Sequence, residues 1–282
     1  MDHWSETYRG SVPPWECDVT EHFTIGYYFE RIGTASLNLL EELGLLEPLR
    51  AGDTPRRFEA RFTRELRAGD SYHIESAALA PAPALRLGHR VVDSATGETV
   101  TWVQEEWEPA PELAVELGRS IEQRLAEWAG PAIESRPEPS PGAATVPTAG
   151  GRATPSDLDE HGRFTPGAFV HRFSDASLQT QAAIGMNARY MQANRRGFST
   201  FELGLRIARC PRLGDALAVR SGIAHLGNSS LRFAHRMYDP RTGQNFAAMS
   251  QFGVQLDLDA RRPAALAEEL RARAAALLVR TD

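Results

Sequence analysis

Two stretches of the chain place ionisable side chains directly before an apolar helical pattern. ECDVTEHFTIGYY, at 16–28, contains Asp18 and His22, and DLDEHGRFTPGAF, at 157–169, contains Asp159. A carboxylate can act as a nucleophile or a general base, and histidine titrates near neutral pH. The free N–H groups of a helix's first turn carry the positive end of its dipole and can stabilise an oxyanion. Each stretch therefore predicts either an ordinary helix cap or a chemical site.

The two stretches belong to an internal repeat, which has to be recognised before single motifs are interpreted. Residues of the first stretch recur, without a gap, at a constant shift of 141 positions (18 to 159). The matched pairs include Glu16 and Asp157, Asp18 and Asp159, Thr24 and Thr165, Gly26 and Gly167, Tyr28 and Phe169, Arg31 and Arg172, and Gly44 and Gly185. His22 falls on Arg163, so the two copies are unequal.

Each copy predicts one long buried helix. After Thr24, apolar or aromatic residues at positions 28, 32, 35, 39 and 43 share one helical face. Thr24 is predicted to cap this helix by accepting a bond from a first-turn N–H, and Gly44 to end it in the left-handed conformation. In the second copy Thr165 is the predicted cap, Pro166 the first helical residue and Gly185 the stop.

Downstream of each helix the pattern changes to short strands. Apolar and polar residues alternate at 58–62 and at 203–207, which predicts a sheet with one covered face. A D-x-x-T-G turn follows at 93–97 and at 239–243, and its Asp and Gly suit a tight hairpin. His89 and His235, which recur shortly before these turns, are predicted to pack inside the sheet.

The order of elements predicts two domains of the same kind. Each copy closes with a helical pattern, near 111–128 and near 263–279. Proline, glycine and small residues at 131–150 predict an extended linker, with a first domain at 1–130 and a second at 151–282. The expected architecture is α+β, with a long helix that buries its apolar stripe against an antiparallel sheet.

Composition limits the class of protein. A net charge of −6 argues against broad nucleic-acid binding, and two cysteines, Cys17 and Cys210, provide neither a disulfide framework nor a paired zinc site. The first residues lack a signal-peptide profile, and no apolar run approaches the roughly 20 residues that span a bilayer. We therefore expect a cytoplasmic protein without a membrane anchor.

The motif E-C-D-x-x-x-H, followed by an early-helix tyrosine and a helix ending in L-G-L, resembles the hot-dog thioesterases of the 4-hydroxybenzoyl-CoA thioesterase type. Their usual pattern is D-x-D, then G-H, then a tyrosine; this chain departs from it at Glu16 and Glu21 in the first copy and at Arg163 and Phe169 in the second. The likeness occurs twice and covers nearly the whole chain. It implies a double hot-dog, with two antiparallel sheets each wrapped around a long central helix.

The resemblance also implies an activity, the hydrolysis of an acyl-CoA thioester to a free acid and coenzyme A. The matching aspartates, Asp18 and Asp159, would be the nucleophile or general base, and His22 would orient the substrate or pass a proton. No metal and no cofactor beyond the coenzyme A of the substrate is expected. Because Pro166 has no N–H and Arg163 replaces His22, the first copy is expected to be the working site. The expected substrate-binding residues are Thr24, Ile25, Gly26, Tyr28, Arg163, Thr165 and Gly167.

Several alternatives remain open at the level of sequence. An acyl carrier protein (ACP) could deliver the acyl group instead of coenzyme A, or the chain could be a non-catalytic acyl-CoA sensor. A hot-dog dehydratase is disfavoured because its Asp, Asn-Pro and His run is missing. Arginines at 56, 57, 61, 64, 67, 195 and 196 could meet coenzyme A phosphates or simply form a solvated face. A homodimer of double hot-dogs is compatible with the resemblance.

Overall fold

Both halves of the chain fold in the predicted order: strand, long helix, antiparallel strands, final helix. The computed structural model describes residues 3–18, 20–50, 56–81, 84–133 and 146–279. It divides into two units: unit 1 comprises residues 1–134, 165–168 and 206–210, and unit 2 the rest of the chain. Most of the predicted linker, at 134–145, lies outside the described residues.

The first half contains three α-helices and five strands among the described residues. In chain order they are β1 (Ser5–Ser11), α1 (Ile25–Leu43), α2 (Leu46–Arg50), β2 (Arg56–Phe62), β3 (Ser71–Ala80), β4 (Leu85–Asp93), β5 (Thr99–Trp107) and α3 (Pro111–Ile121). The strands are hydrogen-bonded in the order β1-β3-β4-β5-β2, and each neighbouring pair is antiparallel.

The second half repeats this order and adds one short strand. Its elements are β6 (Val146–Arg152), α4 (Pro166–Ala183), α5 (Ala188–Ala193), β7 (Arg196–Ile207), β8 (Ala216–Leu226), β9 (Ser230–Tyr238), β10 (Asn245–Asp257), β11 (Arg262–Pro263) and α6 (Glu268–Ala275). The strand order is β6-β8-β9-β10-β7, so each of these five strands has a counterpart in the first half, and β11 is added beside β10.

The long helices are positioned by the apolar stripe that the spacing predicts. In α1, Tyr28, Ile32, Ala35 and Leu39 are all buried, and Leu43 is half-buried. Gly44 ends the helix with φ 75°, and Gly185 occupies the matching position with φ 95°. A left-handed residue at this point favours glycine because it has no Cβ. The predicted helices and their glycine stops are therefore confirmed.

Two boundary predictions were wrong. Residues 146–150, assigned to the linker, form β6, an end strand of unit 2 that tolerates proline and glycine because one of its edges is unpaired there. The closing helices are shorter than the predicted 111–128 and 263–279. Residues 262–263 form β11, so α6 begins only at Glu268, and the chain after each helix forms an isolated parallel bridge with a strand. Leu125 bridges Ala78, and Leu278 bridges Ile223.

A chain of buried polar side chains crosses the core of unit 1. Thr7 Oγ1 lies 2.6 Å from Ser76 Oγ, which lies 2.7 Å from Nδ1 of His89. His89 Nε2 lies 3.3 Å from both Ser36 Oγ and a carboxylate oxygen of Glu105. His89 is fully buried, which confirms its predicted packing role. Because nearly every polar atom here has a partner, the network fixes one arrangement of helix and strands.

Unit 2 carries the neutral equivalent of this network. Ser221 Oγ lies 2.7 Å from His235 Nδ1, and Ser177 Oγ lies 3.1 Å from His235 Nε2. Where unit 1 has Glu105, unit 2 has Gln251, which accepts a bond from Ser177 at 2.5 Å and donates one to Thr200 at 2.7 Å. Of the two networks, only that of unit 1 therefore contains a buried carboxylate, Glu105.

The burial of His235 predicts a pH dependence of stability. Burial lowers the pKa of His235 to about 3 from its ordinary 6.5. Below pH 6.5 the unfolded chain binds a proton that the folded chain does not, so stability present above pH 6.5 is lost as pH falls. We expect a loss of about 2 kcal/mol between pH 6.5 and pH 5, at about 1.4 kcal/mol per pH unit. Chemical denaturation across this range measures it.

The control for this prediction is a His235→Gln variant. Its stability curve should be flatter between pH 6.5 and pH 5, because glutamine does not titrate. Above pH 5, carboxylates such as Asp157, Asp239 and Asp257, whose pKa values are lowered in the fold, are largely ionised in both states and add little to the slope. An unchanged slope in the variant would refute the role of His235.

Three tryptophans pack together in unit 1. The ring centroids of Trp102 and Trp128 are 5.3 Å apart, and Trp4 lies 6.4 Å from each of them. The guanidinium of Arg90 lies over the Trp4 ring, 4.9 Å from its centroid. This cluster, called the tryptophan cluster below, joins the N-terminal residues to β5 and to the segment after α3. Aromatic contacts of this geometry add to the stability that burial provides.

Candidate active site

The loop before α1 brings Asp18 and His22 together. Cys17 and Phe23 form an antiparallel bridge, and inside it the N–H of Asp18 donates to the carbonyl of His22 at 2.9 Å. The N–H of Glu21 donates to the carbonyl of Asp18 at 3.0 Å, which closes the turn. The described residues of this loop, 17, 18 and 20–23, are called the entry loop below. It ends one residue before Thr24, the residue that precedes α1.

The Asp18 carboxylate is exposed, and only one of its oxygens is used by the fold. Its Oδ1 accepts from the N–H of Thr20 at 2.8 Å, from the hydroxyl of Thr20 at 2.6 Å and from the N–H of His22 at 3.1 Å. Oδ2 accepts no hydrogen bond from the described part of the chain. The fold therefore orients the carboxylate through Oδ1 and leaves Oδ2 available to a water molecule or a substrate.

The contacts of His22 fix the position of its proton. Nε2 lies 3.0 Å from a guanidinium nitrogen of Arg67, which can only donate, so Nε2 accepts and carries no proton. The proton of the neutral ring is therefore on Nδ1, 2.8 Å from the Thr20 hydroxyl and 3.2 Å from a carboxylate oxygen of Glu65. The Thr20 hydroxyl gives its own proton to Asp18, so it accepts from His22.

These contacts form one directed chain of hydrogen bonds, from Arg67 to His22, to Thr20 and to Asp18. Asp18 and His22, which the sequence predicts as site residues, are thus linked through the side chain of Thr20, which the sequence does not predict. Residue spacing does not predict that Glu65 and Arg67 lie at this loop, since they follow β2. Here the bridge between His22 and Arg67 and the bond from Phe23 N to the Leu66 carbonyl at 2.8 Å place them.

The predicted cap of α1 was wrong, and the difference matters for chemistry. The Thr24 hydroxyl donates to the carbonyl of Glu16 at 3.1 Å instead of accepting from a first-turn N–H. The Thr24 N–H donates to the same carbonyl at 3.0 Å, so the loop holds the residue away from the cap role. Within the described residues the N–H groups of Ile25 and Gly26 donate to no acceptor. They lie at the positive end of the helix dipole, where a negative charge is stabilised.

The second copy has the same loop but fewer free groups. Asp159 is half-buried, and its Oδ1 accepts from the N–H of His161 and of Arg163, both at 2.9 Å. Thr165 is a true cap, because its hydroxyl oxygen accepts from the N–H of Ala168 at 3.1 Å. Pro166 begins α4 and offers no N–H. The start of α4 therefore offers fewer donors than the start of α1.

A buried ion pair supports each loop from behind. Glu16 accepts two bonds from Arg31, at 2.6 and 2.8 Å, and Asp157 accepts two from Arg172, at 3.0 and 2.8 Å. Burial alone would raise the pKa of Asp157, but bonds from Thr154 and Arg172 outweigh it, so the pKa is lowered. These carboxylates are engaged with helix residues, and we assign them to positioning the loops.

The remaining predicted substrate residues differ in their access. Tyr28 is buried, its hydroxyl oxygen accepts from the Leu66 N–H at 3.1 Å, and burial raises its pKa. The structure thus gives the Tyr28 side chain a packing role. Ile25 is half-buried, and Gly26 and Gly167 are buried. Of the residues at the start of α1 that were predicted to bind substrate, Ile25 is therefore more exposed than Gly26.

Most of the arginines considered for coenzyme A phosphates already have acidic partners. The ion pairs are Arg56 with Glu105, Arg57 with Glu59, Arg64 with Asp93 and Glu98, Arg195 with Asp259, and Arg196 with Asp257. Arg67 is exposed and contacts His22; it has no carboxylate partner for its guanidinium among the described residues. Its role is thus tied to the entry loop.

Glu21 occupies a strained position that the second copy gives to glycine. Its φ is 65°, and Gly162, at the matching position, has φ 75°. The left-handed conformation costs a residue with a Cβ roughly 1–2 kcal/mol. Glu21→Gly is therefore expected to raise the free energy of unfolding by about 1 kcal/mol, measured by urea denaturation. Gly162→Ala is the matched control, because it adds a Cβ at the equivalent left-handed position of the second copy. If the two changes shifted the free energy of unfolding equally and in the same direction, this reasoning would be contradicted.

Comparison with known proteins identifies similar folds. Residues 153–274 match the family described as the thioesterase-like superfamily. An acyl-ACP thioesterase from Bacteroides thetaiotaomicron superposes with a TM-score of 0.69 over 89% of this chain and 98% of that one, at 11% sequence identity. The fold is a double hot-dog. In each half one long helix, α1 or α4, contacts the strands of that half.

Two further double hot-dog structures are similar. The 12:0-ACP thioesterase from Umbellularia californica has a TM-score of 0.62 at 15% identity, over 91% of this chain and 93% of that one. A Lactobacillus plantarum protein assigned as an oleoyl thioesterase has a TM-score of 0.64 at 13% identity, over 89% and 96%. No curated protein sequence matches the chain. No helix in the described ranges is long and apolar enough to cross a membrane.

Proposed function

We propose that this double hot-dog hydrolyses acyl thioesters at the entry loop of its first copy. The observation that carries the proposal is the Asp18 carboxylate, held through Oδ1 with Oδ2 left available, directly before a helix whose first N–H groups are uncapped. Thioester hydrolysis needs a base or nucleophile and donors for the oxyanion. The start of α1 supplies both, and the similarity to thioesterases supports the same chemistry.

The reaction follows from these groups. Asp18 Oδ2 removes a proton from water as the water oxygen forms a bond to the thioester carbon, and the carbonyl oxygen becomes negative. The N–H groups of Ile25 and Gly26 donate to that oxyanion. The intermediate collapses by breaking the carbon–sulfur bond, and the thiolate takes the proton from Asp18. The products are a carboxylic acid and a free thiol. In the alternative, Asp18 Oδ2 itself bonds to the thioester carbon and the carbon–sulfur bond breaks to release a thiolate. Water then hydrolyses the resulting mixed anhydride, which returns Asp18 as a carboxylate, releases the acyl group as an acid and supplies the proton that the thiolate takes.

We propose acyl-CoA as the substrate, with coenzyme A as its leaving group and no separate cofactor. Acyl-ACP is the second candidate, because two of the similar structures are acyl-ACP thioesterases. Both carriers present the same phosphopantetheine thioester. In a non-catalytic acyl-CoA-binding protein, by contrast, Asp18 would serve only to close its loop.

The test is free-thiol release from a panel of short, long and aromatic acyl-CoAs, repeated with matching acyl-ACPs. Turnover of any member above the rate in buffer supports hydrolysis, and the preferred carrier identifies the leaving group. Binding without release, measured by calorimetry with the same acyl-CoAs, would replace the enzyme with a sensor. Neither binding nor release across the panel would overturn the proposed function.

A further inference from the structure

We propose that Thr20 is a positioning residue, whose hydroxyl couples His22 to Asp18 and selects the carboxylate oxygen that reacts. The inference deepens the proposed function and rests on it for its kinetic consequences. The observation is the directed chain of bonds from Arg67 to His22, Thr20 and Asp18. Each donor and acceptor in that chain is determined by chemistry, since a guanidinium cannot accept and a hydroxyl has one proton.

The Thr20 hydroxyl has a defined task within this chain. It accepts from His22 Nδ1 at 2.8 Å and gives its only proton to Asp18 Oδ1 at 2.6 Å. With the two backbone donors at 2.8 and 3.1 Å, Oδ1 then has three partners, so its lone pairs are occupied. Proton removal from water is left to Oδ2. A donor to the ionised carboxylate also favours its charged, basic form.

The contacts of Arg67 and Glu65 make the chain directional. If Nε2 of His22 carried its proton, it would face the Arg67 guanidinium with two donors and no acceptor. Glu65, whose carboxylate lies 3.2 Å from Nδ1, favours the proton on that nitrogen as well. His22 is therefore held as a donor at Nδ1, with the Thr20 hydroxyl at 2.8 Å as its nearer acceptor and Glu65 at 3.2 Å as the second, and the threonine proton is committed to Asp18.

The second copy lacks this arrangement. The position that matches Thr20 is His161, whose backbone N–H donates to Asp159 at 2.9 Å and whose ring lies 3.3 Å from Glu160. Arg163 stands where the first copy has His22. The backbone part of the loop is thus repeated, but the side-chain coupling is specific to the first copy. A purely structural turn would need only the backbone part.

The experiment compares Thr20→Val, which removes the hydroxyl and keeps the shape, with Thr20→Ser, which keeps the hydroxyl. Steady-state hydrolysis of the best acyl-CoA is measured from pH 5 to pH 9. Thr20→Val should lower kcat about tenfold with KM unchanged across this range, because the carboxylate loses a donor. Thr20→Ser should restore kcat. His161→Ala, in the second copy, should change neither kcat nor KM.

Several charged and titratable groups lie near the Thr20 hydroxyl. Glu21 and Cys17 lie in the loop itself, Glu16 lies behind it, and Glu65 and Arg67 face His22 from the segment after β2. All five are the same in the Val and Ser variants. A difference between these two variants therefore reports the Thr20 hydroxyl and no other group.

A second measurement does not depend on turnover. Nitrogen-15 NMR of the His22 ring should show the Nδ1-protonated neutral form in all three proteins, because Arg67 and Glu65 are unchanged, but the Nδ1 signal should move in Thr20→Val, where its proton loses the Thr20 acceptor. Equal kinetics and equal Nδ1 signals in Val and Ser would overturn the role of Thr20. If no thioester is hydrolysed but the NMR difference is present, the proposed function fails while the coupling stands. If thioesters are hydrolysed but Thr20→Val changes neither the kinetics nor the NMR signal, the proposed function stands while the role of Thr20 fails.

Discussion

Replacing Asp18 by asparagine is expected to reduce kcat for thioester hydrolysis by about 10²- to 10⁴-fold, the contribution typical of a positioned general base. Asparagine keeps the Oδ1 acceptor, so the three hydrogen bonds that close the entry loop can persist. What is lost is the charge on Oδ2. The variant should therefore fold and bind substrate normally, and the effect should appear in kcat measured by thiol release.

Asp159→Asn is the matched control. Its carboxylate holds the equivalent loop through two backbone N–H groups, beside a helix that starts with Pro166 and is capped by Thr165. We expect this variant to retain at least half of the wild-type activity. Full activity in Asp18→Asn, or an equal loss in both variants, would show that the first copy is not the sole working site.

The second large effect concerns stability. Arg56→Gln is expected to lower the free energy of unfolding by about 3–5 kcal/mol, because it removes the countercharge of a fully buried carboxylate. Burial would raise the pKa of Glu105, but Arg56 and the contacts of His89 and Ser36 outweigh this and lower it. Arg56 Nε lies 2.8 Å from Glu105, and its guanidinium also lies 4.0 Å from the Trp107 ring centroid.

Unit 2 indicates how the loss can be reversed. There Gln251 fills the corresponding role with an amide that bonds to Ser177 and Thr200, and no charge is buried. The double variant Arg56→Gln/Glu105→Gln should therefore recover at least half of the stability lost in Arg56→Gln. Urea denaturation of the two single variants and the double variant completes the cycle. Additive losses would mean that the two side chains do not act as a pair.

Local patterns predicted the long helices and their ends well, because these depend on residues close in sequence. The buried stripe of α1 and the left-handed Gly44 follow from spacing and from the chemistry of glycine. The cap at Thr24 failed because the carbonyl of Glu16, eight residues away, competes for its hydroxyl. Such competition depends on the path of the loop, which spacing does not encode.

The candidate site was predictable only in part. Asp18 and His22 could be identified from residue type and from the repeat, but the links between them could not. Thr20 has several local uses in an isolated loop, and Arg67 is 45 residues from His22 and reaches it only through a bridge between two segments. The sequence did not predict the charged core network of unit 1 or the neutral one of unit 2 either, because the side chains of each network come from separate strands.

The tryptophan cluster makes the two halves optically distinct. All five tryptophans of the chain lie between residues 4 and 128, so they belong to unit 1, and Trp107 is buried beside Arg56. Unit 2 contains none. Indole emission therefore reports the unfolding of unit 1 alone, whereas far-ultraviolet dichroism reports both units. Comparing the two signals would show directly whether the halves of this molecule melt together or one after the other.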